Sequence, residues 1–128
     1  MKKQSVISTS IFIALVFVLM IFYFYPQVSY ADAPKDVTLE YDSSAQTLAV
    51  TITHKASFSF HHIKSVEIKK NSVVISTTNY DTQPAEVPFT YTYKVAAEEG
   101  DNLEVTATCS LSGSKTATIT VPRTLIQN

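Results

Sequence analysis

The stretch from Leu103 to Leu111 reads LEVTATCSL, and its pattern decides the fold. Leu103, Val105, Ala107, Cys109 and Leu111 fall on one side of an extended chain; Glu104, Thr106, Thr108 and Ser110 fall on the other. Alternation of this kind predicts a strand with one face in a core, because successive side chains of a strand point to opposite faces. The same period recurs on both sides of it. VTLEY places Val37, Leu39 and Tyr41 together, and TLAVTITH aligns Leu48, Val50, Ile52 and His54. FTYTYKV aligns Phe89, Tyr91, Tyr93 and Val95, and KTATITV ends the pattern with Ala117, Ile119 and Val121. Thr, Val, Ile and Tyr dominate these runs, and such side chains suit a pleated, half-buried surface.

HIKSVEIKK and VVISTT flank Asn71-Ser72, a link short enough for a two-residue hairpin. Gly100-Asp101-Asn102 and Ser112-Gly113-Ser114 read as further tight turns. The expectation is an all-β, immunoglobulin-like antiparallel sandwich of about seven strands. With no tryptophan and one cysteine, the chain lacks the Cys…Trp…Cys pattern of antibody domains. Phe58, Phe60, Phe89, Tyr91 and Tyr93 are expected to serve core and cross-strand packing.

The chain begins quite differently. Lys2 and Lys3 precede an apolar run that extends from Val6 to Tyr25 and is unbroken from Ile11, followed by Pro26 and by Ser29 and Ala31. A positive end, an apolar middle and small residues at a cleavage position compose a secretory signal peptide. A membrane anchor through residues 6–25 is the alternative, since the run approaches the roughly 20 residues a bilayer core needs. Residues 1–31 are thus expected to form a signal peptide or anchor, an N-terminal hydrophobic helix, and residues 32–128 the exported domain. That domain would be secreted, periplasmic or anchored facing outwards.

Ten Lys and Arg occur in the chain, two of them at its start, against eleven Asp and Glu. The exported part is therefore mildly acidic and carries no basic stripe, which excludes nucleic acid as a partner. A single cysteine cannot form an intramolecular disulfide, so Cys109 is a buried thiol, an intermolecular bridge or a metal ligand. The acidic turn EEGDN lacks the oxygen spacing of a calcium loop. SGSK, Ser112 to Lys115, matches a Ser-x-x-Lys pattern but falls in a strand-to-strand turn without partner motifs.

The remaining chemistry is clustered: His54 ends one strand, His61 and His62 open the next, and Cys109 ends a third. Imidazole and thiolate together suit iron, zinc or copper. A plain packing role is the competing reading, since cysteine is among the most buried residue types.

ITHKASFSFHHIKSVEI followed by GDNLEVTATCSLSG resembles the iron-binding domain of the desulfoferrodoxin and superoxide reductase family, over about residues 36–121. The resemblance implies an immunoglobulin-like sandwich in which four imidazoles and one cysteine thiolate hold a ferrous ion that reduces superoxide. It implies ligand roles for His54, His61 and Cys109, with His62 as a substitute for His61, because the seven-residue step from His54 to His61 is one longer than usual in the family. Two family ligands have no counterpart. Ser112 stands where the Cys-x-x-His imidazole belongs, and residues 32–53 contain no histidine. The family's lysine near the iron is also missing from its position. Two functions from different classes follow. One is an iron-binding protein of superoxide reductase ancestry, with superoxide as its small anion if a metal site forms. The other is a non-catalytic interaction or structural module at the cell surface.

Overall fold

The computed structural model describes residues 3–23, 33–56 and 61–123. The proposed cleavage site at Ser29 and Ala31, and Phe58 and Phe60, lie outside the described residues. Helix α1 (Lys3–Tyr23) covers most of the apolar run. Its side chains are described only at residues 9–18 and 20, and among the described residues no helix is long and apolar enough to cross a membrane.

Seven strands follow: β1 (Asp36–Asp42), β2 (Thr47–Thr53), β3 (Ile63–Lys70), β4 (Val73–Asn79), β5 (Phe89–Lys94), β6 (Asn102–Cys109) and β7 (Ser114–Thr120). They form two antiparallel sheets, ordered β1-β2-β5 and β4-β3-β6-β7. The chain changes sheet between β2 and β3, between β4 and β5, and again between β5 and β6. This all-β sandwich is the architecture that the alternation predicts.

The inward faces are those of the sequence pattern. Leu48, Val50 and Ile52 of β2 and Leu103, Val105 and Ala107 of β6 are fully buried between the sheets. Each large aliphatic side chain so buried contributes about 1.5–3 kcal/mol. Tyr41 adds a polar tie: its hydroxyl donates to the Val95 carbonyl at 2.7 Å and accepts from the Ala97 N–H at 3.2 Å. The end of β1 is thereby fastened to the segment leaving β5. On the other flank Tyr80 stacks on Tyr91 with ring centroids 4.3 Å apart, and the Tyr80 and Tyr93 hydroxyls lie 2.7 Å apart. Burial, then the Tyr80 hydroxyl, pushes the Tyr93 phenol well above its ordinary range.

Asn71 and Ser72 link β3 to β4 with φ of 50° and 69°, the doubly left-handed backbone of a two-residue hairpin. Leu111 departs from the expected core face. It is 63% exposed, because the Cys109 N–H donates to the Gly113 carbonyl and the chain turns before Leu111 can continue β6. The acidic tip is held by its own bonds: Asp101 accepts from the Glu98 N–H and from the Asn71 amide, both at 2.8 Å.

Candidate metal centre

Three strand ends meet at one pole of the sandwich. The inward phase of β2 runs Leu48, Val50, Ile52 and then His54, just past the strand, which is 2% exposed. The inward phase of β6 runs Leu103, Val105, Ala107 and Cys109, also 2% exposed.

The approach to β3 is less simple. Val66 and Ile68 are buried, so strict alternation back along the strand would turn Lys64 and His62 inward. Instead the pairing of β3 with β6 shifts register between Ile63 and Ser65, so that Ile63 lies opposite Cys109 and Ser65 opposite Thr108. The extra residue is a β-bulge, which reverses the phase of the strand before it. Ile63 becomes fully buried, and His61, two residues earlier, is buried on the same side at 7% exposed.

The bulge also decides the fate of the neighbouring histidine. His62 is half-buried, its Nε2 lies 3.0 Å from the Tyr80 carbonyl, and its backbone bonds to Ser110. It stands outside the cluster that His61 joins.

His54, His61 and Cys109 each offer one donor atom, and these atoms all lie within 4.8 Å of one another. The two imidazoles meet edge to face at 88°, with centroids 5.0 Å apart. Cys109 Sγ is 3.4 Å from His61 Nδ1, and the Leu111 N–H points at the same sulfur from 3.5 Å. A tetrahedral ion bonded at about 2.3 Å to sulfur and about 2.0 Å to nitrogen holds those atoms about 3.5 Å apart. The 3.4 Å between Cys109 Sγ and His61 Nδ1 already matches that span, and every other pair of donor atoms lies within 4.8 Å. Two imidazoles and a thiol thus fit a single transition-metal ion in both chemistry and spacing. They supply three of the donors that a five-ligand ferrous site requires.

Gln83, in the loop between β4 and β5, is the neighbour that the sequence reading missed. Its Oε1 lies 2.7 Å from His54 Nδ1 and accepts from the Ile63 N–H at 3.0 Å, while its Nε2 donates to the His54 carbonyl at 2.8 Å. A lone glutamine in a polar loop carries no signal in its local sequence. Only the fold brings it to the pole. A cavity of about 560 Å3 adjoins, walled by Lys55, His61, His62, Asp81, Gln83 and Val87 among others. His61 therefore belongs both to the buried cluster and to the cavity wall. Among the described residues, Lys55 is the one basic residue in the cavity wall besides the histidines.

No known family profile matches the chain, and no curated protein does. Among solved structures, superoxide reductase (neelaredoxin) from Ignicoccus hospitalis is similar, with a TM-score of 0.50 and 18% identity over 75% of this chain and 85% of that one. This chain has a β-sandwich similar in fold, at a distance, to that of a superoxide reductase.

Proposed function

We propose that this protein is an exported metal-binding sandwich of superoxide reductase ancestry, holding iron on His54, His61 and Cys109. The observation that carries this reading is the convergence of two buried imidazoles and the only thiol at one pole. The likeness in fold supports the choice of iron. In this reading His54 and His61 bind through nitrogen and Cys109 through sulfur, with the Leu111 N–H steadying the sulfur. Iron would supply a one-electron reductant next to the cavity that His61 walls. Lys55, which lies in the cavity wall, would draw a small anion such as superoxide towards it. Among the described residues three His and Cys side chains would hold the ion, and solvent or the anion would supply further donors. Residues 1–31 act as the export signal or anchor in this reading, and residues 32–128 as the exported domain.

The test is metal analysis of full-length protein purified anaerobically and reconstituted with Fe(II), beside Cys109→Ser and His61→Ala. One iron per wild-type chain, lost in both variants, is the expected result. Substoichiometric iron in all three overturns the reading.

A second reading, a non-catalytic interaction module, draws on β4. That strand lies at the edge of its sheet and exposes Val73, Val74 and Ile75 by 64%, 49% and 43%. An apolar edge strand invites pairing with another chain.

A further inference from the structure

We infer that Gln83 is a positioning residue that fixes the tautomer of His54 and presents its Nε2 to the metal; the inference rests on the metal reading above. The carboxamide makes three hydrogen bonds whose directions leave it one orientation. A backbone N–H can only donate, so the atom 3.0 Å from Ile63 N is the amide oxygen. A carbonyl can only accept, so the atom 2.8 Å from His54 O is the amide nitrogen. The same oxygen lies 2.7 Å from His54 Nδ1, and an oxygen that only accepts requires a proton on that nitrogen. In the neutral ring the lone pair then resides on Nε2. A buried imidazole could otherwise take either tautomer, and only one of them leaves Nε2 able to ligate.

Gln83 also joins three segments. It grips the His54 carbonyl after β2 and the Ile63 N–H at the start of β3, and it stands itself in the loop that walls the cavity. The imidazole is thus held by a group seated between the two histidine-bearing segments. Partners of this kind orient metal ligands and raise their basicity, and their loss costs about 10–100-fold in metal affinity.

The experiment uses the full-length, metal-free chain labelled with 15N, at a pH well above the ordinary imidazole range. Long-range proton–nitrogen spectra report which nitrogen of His54 carries the proton. Wild type and Gln83→Glu, which keeps an oxygen acceptor, are expected to show the Nδ1–H tautomer. Gln83→Met, similar in length but without an acceptor, is expected to show a mixture or the Nε2–H form. Should Gln83→Met fail to fold, Gln83→Asn, with its amide withdrawn by one methylene, takes its place in the comparison. Titrated with Fe(II), the Met variant is expected to bind about 10–100-fold more weakly than wild type, with Glu restoring most of the loss. An Nε2–H tautomer in wild type, or an undisturbed Nδ1–H tautomer in the folded Met or Asn variant, overturns the inference. A wild-type chain with the expected tautomers that takes up no iron overturns the metal reading and leaves the tautomer assignment standing.

Discussion

Replacing Gly113 by alanine tests whether the turn carrying Cys109 is packed as described. Gly113 has φ +79°, a left-handed backbone that costs an L-residue roughly 1–2 kcal/mol. A Cβ built there would sit 2.7 Å from Ala33 Cβ and 3.1 Å from Ala33 Cα, so backbone must also move. Overpacking of that kind adds about 1–3 kcal/mol. Gly100 is the internal control: it has φ +86°, but its new Cβ would meet nothing within 4 Å. Gly100→Ala should therefore cost about 1–2 kcal/mol and Gly113→Ala about 2–5 kcal/mol. For a domain of this size each kcal/mol lowers Tm by about 4–8 °C. The assay is thermal and urea unfolding of both full-length variants beside wild type. Equal losses, or a larger loss at Gly100, would refute the packing of Ala33 against the turn.

Tyr41→Phe removes a buried hydroxyl and strands the Val95 carbonyl and the Ala97 N–H, so urea unfolding should show a loss of about 1–3 kcal/mol. Leu103→Ala empties a fully buried position between the sheets and should cost about 2–5 kcal/mol by the same measurement. Asp42 is held below the usual carboxylate range by the Ser44 hydroxyl and the Ala45 and Ser44 N–H groups, and Asp101 by the Glu98 N–H and the Asn71 amide. A depressed folded-state pKa stabilises the fold above the ordinary carboxylate range, and that stabilisation is lost as pH falls through the lowered value. Carboxyl-carbon NMR titration should therefore give both residues midpoints below the ordinary aspartate value of 3.8; midpoints at or above that value would contradict the turn geometry.

The sandwich was legible because its strands keep strict alternation. The buried faces of β2 and β6 can be read directly from Leu48, Val50 and Ile52 and from Leu103, Val105 and Ala107. The same alternation carried His54 and Cys109 into the cluster. It did not choose between His61 and His62, because the choice rests on one extra residue in β3. A trace of that bulge is present in the chain: Ile63 and Val66, both fully buried, are three residues apart, an odd spacing that an unbulged strand cannot place on one face. Leu111 misled for the opposite reason, since its alternation with Cys109 continues through residues that the Cys109–Gly113 bond has already turned. Gln83 and Lys55 could not be found by periodicity at all. Both lie in loops; Lys55 simply follows His54 in the chain, whereas Gln83 reaches His54 only through tertiary closure.

The most direct test of the central claim is X-ray absorption at the iron edge of the full-length chain reconstituted anaerobically with Fe(II). The account predicts one sulfur neighbour, absent in Cys109→Ser, together with imidazole scattering that weakens in His54→Ala and in His61→Ala. Iron surrounded by oxygen alone, or a wild-type spectrum unchanged in all three variants, would contradict it.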